Sequence, residues 1–183
     1  MKRRVLFLFI ISLYTCCMMA QRISVDRLET DGERQVMSTS KNISVQGVSY
    51  SVNLKVYEDD NHRWDWGLLI SSFHRIQENG ILLIKLGNEE ILEFPCNNLN
   101  VGDVIVSGYP IKYYSSIYDI TEYEIDKISK YGILKMRITD GLSYREKNWK
   151  KDKLGKFISK CRDLLVYRLE NYEIKKKNIY DNF

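Results

Sequence analysis

The sequence has few residues of the kinds that form disulfides, metal sites and catalytic pairs. It contains four cysteines, of which Cys16 and Cys17 lie close to the N-terminus, and only two histidines, His62 and His74. A Cys–His nucleophile would need Cys96 beside a histidine, and no cysteine-protease signature supports that arrangement. The C-x-x-C, H-E-x-x-H and G-x-S-x-G motifs are also absent. The sequence therefore predicts no cofactor and no hydrolase or oxidoreductase site of a familiar kind.

Proline is scarce as well, and long apolar runs are absent after the first twenty residues. Pro95 and Pro110 are the two prolines, and no segment is rich in Pro, Gly or Ser. We find no internal repeat and no low-complexity segment. The sequence predicts that residues 21–183 form a single globular domain, which is long enough to bury a core.

Residues 1–20 have the pattern of a secretory signal peptide. Residues 2–4 are basic, residues 5–14 are apolar except for Ser12, and Ala20 is the small residue before the expected cleavage bond. The apolar run is shorter than the ~20 residues that span a bilayer. The alternative is lipidation, because residues 13–16 resemble a bacterial lipobox that ends at Cys16, with Thr15 in place of the usual small residue. We expect an exported protein, periplasmic or secreted, that is anchored to a membrane only if Cys16 or Cys17 is lipidated.

The charge of the chain does not favour a nucleic-acid partner. The sequence has 28 basic and 24 acidic residues, and three of the basic residues but no acidic ones lie in residues 1–20. After cleavage, 25 basic and 24 acidic residues would remain, so the balance gives no electrostatic footprint for DNA or RNA. Residues 145–177 hold 12 basic and 5 acidic residues, which predicts an acidic body with a basic C-terminal segment.

Most of the chain has strand patterns. In residues 48–57 every second residue is apolar, and in residues 133–139 Leu134, Met136 and Ile138 alternate with Lys135 and Arg137. One apolar and one polar face is typical of antiparallel sheets. Strands are predicted at residues 21–28, 33–38, 42–46, 48–57, 63–73, 81–86, 90–94, 101–106, 111–118, 133–139 and 142–146.

Two helices are predicted. Thr121 and Glu124 can form a capping box, and Gly132 can end a helix in the left-handed conformation, which predicts a short helix at about residues 121–131. A long helix is predicted at about residues 151–174, followed by a frayed tail. Its expected apolar stripe includes Phe157, Ile158, Cys161, Leu164 and Leu165. The predicted fold class is α+β, with a mostly antiparallel β-sandwich or strongly curved sheet covered by the C-terminal helix.

Aromatic residues are the main candidates for a binding site. The chain has three tryptophans and 13 tyrosines, and exposed rings on a β face can stack on sugars or contact a partner protein. Trp64 and Trp66 share one face of a predicted strand, whereas Tyr113 and Tyr114 lie on opposite faces of another. The alternative is that these rings fill the core. We expect a non-catalytic module that binds a protein or glycan; the alternative is a small secreted hydrolase with an unrecognised site.

Two further groups of residues are weaker candidates. Asp59, Asp60 and His62 offer metal ligands, although a polar segment of this kind is first of all a solvated hairpin turn. Cys96 and Cys161 could form a disulfide in an oxidising compartment, or could be two buried thiols.

The C-terminal third to half of residues 21–183 resembles a pattern in uncharacterised small secreted proteins of gut-type bacteria. The pattern begins at Tyr118, continues through the capped segment to Ile128, and resumes from Gly132 to Ile138 before the long helix. Such proteins have no assigned activity, so the resemblance implies no functional residue.

Overall fold

The computed structural model describes residues 22–28, 34–58, 63–139 and 143–181 of the 183-residue chain. These residues form ten strands and two helices. The strands are β1 Ile23–Leu28, β2 Arg34–Ser38, β3 Lys41–Val45, β4 Val48–Glu58, β5 Trp64–Ser72, β6 Ile81–Leu86, β7 Ile91–Val106, β8 Tyr109–Asp119, β9 Ile133–Thr139 and β10 Tyr144–Asn148. The helices are α1 Glu122–Tyr131 and α2 Leu154–Asp181.

The strands form one antiparallel sheet with the order β1-β2-β4-β5-β8-β7-β6-β9-β10, and β3 also pairs with β4. The sheet is strongly curved, so that β10, at one end of the strand order, comes close to β3. Lys147 Nζ on β10 donates a hydrogen bond of 2.6 Å to the Ser44 carbonyl oxygen on β3. No strand pairing joins β3 to β10 in the described residues, so the sheet stays open there. The predicted α+β class, with a mostly antiparallel sheet, is confirmed.

Strands β2 and β3 lie end to end along one edge of β4. β2 pairs with β4 at residues 55–57, and β3 pairs with it at residues 48–52. Between these ladders the Leu54 N–H donates to Ser38 Oγ at 3.0 Å, and Asn53 Nδ2 donates to the Ser38 carbonyl oxygen at 2.9 Å. These bonds satisfy polar groups that are buried where the chain passes from one ladder to the next.

Strand β7 corrects the prediction of two strands separated by a polar loop. It is continuous over 16 residues; residues 91–95 pair with β6, and residues 96–106 pair with β8. The register shifts between Cys96 and Asn98, so Asn97 is the extra residue of a bulge. The asparagines at residues 97, 98 and 100 remove the apolar–polar alternation by which a strand is predicted. Strand pairing uses the backbone and needs no apolar side chain, so the strand continues through them.

Helix α1 begins and ends as predicted. Thr121 Oγ1 accepts from the Glu124 N–H at 3.2 Å, and the Glu124 carboxylate accepts from the Thr121 N–H at 2.8 Å. Gly132 follows with a φ of 70° and donates its N–H to the Ile128 carbonyl oxygen. Ile125 and Ile128 are fully buried.

The predicted face of β9 is wrong at one residue. Met136 and Ile138 are buried as expected, but Leu134 is 39% exposed and Ile133 is buried in its place. The ladder with β6 pairs Leu86 with Ile133 and Lys85 with Lys135. Leu134 is therefore the extra residue of a bulge, and the side-chain alternation changes phase there.

Helix α2 is longer than predicted, since its backbone remains helical to Asp181, through the segment predicted as a tail. Residues 175–177 are lysines, and lysine has a high helix propensity, so the helix continues through this charged segment. The helix packs against α1 and against β2 and β4, while Leu164 is only half-buried. None of the helices in the described part of the chain has the length and apolar character needed to cross a membrane. The buried hydrophobic side chains of α2 are those of Leu154, Phe157, Ile158, Cys161, Leu165 and Leu169.

Candidate functional site

A cleft of about 420 Å³ lies where the ends of β4, β5 and β8 meet the start of α1. Its walls combine aromatic rings with carboxylates. The lining residues are Tyr57, Trp64, Asp65, Trp66, Asp119, Ile120, Thr121 and Glu122.

The strand register explains why these residues meet. Tyr57 on β4 is paired with Asp65 on β5, and Gly67 on β5 is paired with Asp119 on β8. The Ile120 N–H donates to the Trp66 carbonyl oxygen at 3.0 Å, which fixes the chain as it leaves β8 for α1. The capping box then directs the first turn of α1, with Glu122, along the rim of the cleft.

Gly67 leaves room for the Ile117 side chain on β8. A Cβ atom at this position would lie 3.0 Å from Ile117 Cγ2 and 3.7 Å from Tyr57 Cε1. A larger residue would therefore push against Ile117, whereas its contact with the Tyr57 ring would be an ordinary one.

The Asp119 carboxylate is held on both oxygens. Tyr57 donates its hydroxyl to Oδ1 at 3.2 Å, and Asn97 donates an amide hydrogen to Oδ2. Asn97 is the bulge residue of β7, so the bulge directs its side chain to this carboxylate. The pKa of Tyr57 is raised to about 12, mainly by burial. The charge of Asp119, the hydrogen bond to it and the charge of Asp65 also raise this pKa. The phenol is thus a permanent donor at neutral pH.

The cleft has an excess of negative charge. Asp65, Asp119 and Glu122 contribute three carboxylates to the lining, and one cation close to it is Lys55, whose Nζ lies 5.0 Å from the centre of the Tyr57 ring. Carboxylates beside aromatic faces attract cations, and the low-dielectric walls of a cleft strengthen the field.

The four predicted aromatic residues fall into two places. Trp64 and Trp66 line the cleft; Trp66 is only 5% exposed, so it forms a wall, whereas Trp64 is half-buried. Tyr114 lies five residues before Asp119 on β8, about 17 Å along the strand. Tyr113 beside it contacts Phe73 edge-on, with the ring centres 5.2 Å apart. The structure therefore brings the tryptophans together and separates them from the tyrosines.

The carboxylates of the cleft were missed in the sequence. Asp65, Asp119 and Glu122 lie on three elements, and no local spacing links the first to the other two. Asp119 before the Thr121 cap was the one available signal, because a polar residue at a strand end beside a helix start often lies at a surface edge. Only the pairing of β5 with β8 shows that Asp65 is close.

Of the two alternatives for Cys96 and Cys161, the structure has the two thiols and no disulfide between them. Cys96 Sγ on β7 lies 2.6 Å from Ser116 Oγ, and Cys161 is buried on α2. The two sulfur atoms thus belong to different parts of the core. His74 Nε2 lies 2.8 Å from Arg145 Nη2, so the histidine and Cys96 have different neighbours.

The remaining predicted site residues lie outside the described residues. This applies to Cys16 and Cys17, the lipidation candidates, and to Asp59, Asp60 and His62, the metal candidates. Within the described ranges, no group of three His, Cys, Asp or Glu residues is arranged to hold a metal ion.

A second groove, of about 320 Å³, lies along α1 between Glu90, Tyr123 and Tyr131. Its charges are matched within the chain, because Lys127 Nζ contacts the Glu90 carboxylate at 2.5 Å and lies 4.4 Å from the centre of the Tyr123 ring. A groove whose own cation and anion are paired has less to offer a charged ligand than the acidic cleft.

No protein-family model matches the chain, and no curated protein or solved structure matches it significantly.

Proposed function

We propose that this chain is an exported, non-catalytic binding module whose cleft takes a lysine or arginine side chain of a partner protein. The observation that carries the proposal is the excess of carboxylates in the cleft, where Asp65, Asp119 and Glu122 meet aromatic walls. The signal-peptide pattern of residues 1–20 supports export.

The composition of the walls favours a cation. A long cationic side chain has an apolar stem and a charged head, which matches a cleft with tryptophan and tyrosine walls and carboxylates at the rim. A cation over an aromatic face contributes about 0.5–2 kcal/mol, and more when water is excluded. Lys55 already lies over one face of Tyr57, so a ligand cation would use the carboxylates and the other aromatic surfaces of the cleft.

A glycan is the second candidate, because Trp64 is half-buried beside carboxylates that can accept hydrogen bonds from sugar hydroxyls. Sugar recognition relies on an open aromatic face on which a ring can stack. Trp66 is 5% exposed and offers no such face, and Lys55 lies over one face of Tyr57, so stacking would depend mainly on Trp64. This places the glycan second.

A hydrolase is supported less well than either. Both oxygens of Asp119 accept hydrogen bonds from Tyr57 and Asn97. A carboxylate with its oxygens engaged in this way is poorly placed to attack a substrate or to deliver a proton. Asp119 is better suited to organise the cleft.

Binding of short peptides tests the proposal. We expect peptides with exposed lysine or arginine to quench tryptophan fluorescence, and the same peptides with glutamine at those positions to have no effect. Asp65→Asn and Glu122→Gln should each weaken binding by roughly tenfold, which corresponds to about 1.4 kcal/mol. Added salt should weaken it further, because the attraction is electrostatic.

Glu93→Gln is the matched control, since Glu93 is an exposed carboxylate on β7 that does not line the cleft. This variant should bind like the parent. Binding to a glycan array that resists salt and disappears in Trp64→Ala would replace the cationic ligand by a sugar. Turnover of a glycoside that depends on the cleft carboxylates would show that the module is an enzyme.

A further inference from the structure

The outer half of the β7–β8 hairpin, residues 100–113, extends away from the rest of the sheet; we call it the arm. β5 pairs with β8 only from residue 114 onward, and β6 pairs with β7 only up to residue 95. Among the residues that the structure describes, the arm is therefore a two-stranded ribbon whose two outer edges pair with no other strand. Its exposed apolar residues are Val101, Val104, Ile105, Val106, Tyr109 and Ile111, which are between 39% and 74% exposed.

Such an arm is unfavourable if it stays in water. A lone two-stranded ribbon is marginally stable, and clustered exposed apolar residues generally indicate an interaction site. The charges of the arm cancel, because Lys112 Nζ lies 3.0 Å from Asp103. Attraction to a polyanion or a polycation therefore does not explain it.

The turn determines which backbone groups face outward. Ser107 and Gly108 have φ values of 51° and 84°, and two central residues with positive φ form the two-residue turn typical of tight hairpins. Val106 and Tyr109, which flank the turn, are therefore a hydrogen-bonded pair. Hydrogen-bonded and non-hydrogen-bonded pairs alternate along the hairpin. Ile105 and Pro110 are therefore a non-hydrogen-bonded pair, and their backbone polar groups point away from the hairpin.

The two edges of the arm differ in their ability to pair. On β8 the outward positions are Pro110, which has no N–H, and Lys112, which is charged; proline and lysine are two residues that protect free edges. On β7 the outward positions are Val101, Asp103 and Ile105. Two of these three are β-branched and apolar, so the β7 edge is open where the β8 edge is blocked.

We propose that two copies of this chain associate by pairing β7 of one copy antiparallel to β7 of the other, about a twofold axis at Gly102. This axis lets residues 98–106 of the free edge overlap. It sets Leu99 opposite Ile105 of the other copy and Val101 opposite Asp103. It also avoids two aspartates facing each other, which would be destabilising. A Cβ atom at Gly102 would meet nothing within 4 Å, so the centre of the pairing is unobstructed.

A second copy fits this edge better than lipid does. Lipid cannot hydrogen-bond the outward backbone groups, and open sheet edges are excluded from a hydrocarbon layer for that reason. A stable interface uses about 20–30 residues on each side, and the 14 residues of the arm are too few alone. A twofold axis sets arm against arm, so each copy contributes the 14 residues of its own arm and the surface next to its base. Phe73, 55% exposed and in contact with Tyr113 at the base of the arm, extends the apolar surface.

Sedimentation velocity tests the proposal. The purified parent protein should form a dimer at micromolar concentrations, and Val101→Lys and Ile105→Lys should shift it to monomer while the thermal unfolding stays cooperative. Pro110→Lys is the matched control, since Pro110 is paired with Ile105 and the substitution therefore places the same charge on the same face of the arm, but on β8. It should remain dimeric; dissociation of all three variants would show that a face of the arm associates and would overturn edge pairing.

Cysteine cross-linking tests the register. Opposed non-hydrogen-bonded residues have Cα atoms about 4.5 Å apart, within the range of a disulfide. In a Cys96→Ser background, Gly102→Cys should therefore give a disulfide-linked dimer on mild oxidation, whereas Lys112→Cys should not. A parent that stays monomeric at high micromolar concentration overturns the proposal. If that monomer co-sediments with lipid vesicles, lipid covers the arm; otherwise another protein does. None of these variants touches the cleft, so the two proposals fail independently.

Discussion

At the scale of single residues, Asp26 on β1 connects the sheet edge to the C-terminal helix. Its carboxylate accepts from Arg34 Nη2 on β2 at 2.8 Å and from Arg168 Nε on α2 at 2.7 Å. Arg34 also stacks on Tyr172 of α2, 3.6 Å from the ring centre. One carboxylate thus joins two strands and a helix, and the Arg34 side chain, only 7% exposed, depends on it for charge balance.

The same carboxylate makes stability depend on pH. Burial, the largest single effect, raises the pKa of Asp26, but the hydrogen bonds and charges of Arg34 and Arg168 together outweigh it, so the pKa is lowered from 3.8. A group whose pKa is lower in the folded state stabilises the fold above its unfolded pKa. That stability is lost as the pH falls through the folded value.

We therefore expect Asp26→Asn to lower the free energy of unfolding at neutral pH by about 1–3 kcal/mol, because buried Arg34 loses its counter-charge. As the pH falls below 3.8, the parent should lose this advantage and the two urea midpoints should converge. Asp163→Asn is the control, since Asp163 is 69% exposed and 3.9 Å from Arg162, and it should change little at any pH. A constant difference down to about pH 2 would mean that the charge of Asp26 does not stabilise the fold.

At the scale of elements, sequence reasoning succeeded where local chemistry decides the structure. The cap at Thr121, the stop at Gly132 and the buried apolar face of β4 each depend on neighbours within a few residues, and all three are present in the structure. Asn53 is the exception on the polar face of β4, since it is buried. The predictions failed at the bulges of β7 and β9, because a bulge is set by the partner strand. Leu134 shows the consequence: one extra residue reverses which side chains are buried.

The candidate site depended in the same way on non-local information. Trp64 and Trp66 could be named because they stand next to each other on one strand face. The carboxylates that determine the character of the cleft could not, because Asp65 and Asp119 are 54 residues apart and meet only through the β5–β8 ladder. The ligand class therefore could not be narrowed to a cation before the topology was known.

Helix α2 permits a test that separates burial from helix propensity. Leu164 and Leu165 are adjacent, so replacing either by alanine changes helix propensity equally. Leu165 is fully buried, and Leu165→Ala should lower the free energy of unfolding by about 2–5 kcal/mol. Leu164 is half-buried, so Leu164→Ala should cost about 1 kcal/mol or less. Equal urea midpoints for the two variants would contradict the orientation of this helix on the sheet.

At the scale of the whole molecule, the open, curved sheet needs the helices to complete its core. α2 contributes six buried side chains, and its Arg162 reaches Asp126 on α1 at 3.0 Å, joining the two helices. Each buried side chain of this size contributes about 1.5–3 kcal/mol. The gross contribution of about 9–18 kcal/mol is as large as the net stability of a typical domain, about 5–15 kcal/mol.

We therefore expect a chain that ends at Lys150 to be unfolded or insoluble, because it exposes the apolar surface that α2 covers on α1, β2 and β4. The matched control ends at Glu173 and keeps all six buried side chains, together with Arg168 and Tyr172. It should remain soluble and unfold in one cooperative transition, as followed by circular dichroism. If the chain ending at Lys150 instead melts cooperatively at the parent temperature, α2 is an appendage. Its basic face would then be available for a polyanion or a lipid surface. Salt would weaken that electrostatic attraction, since charges are screened over about 8 Å at physiological ionic strength.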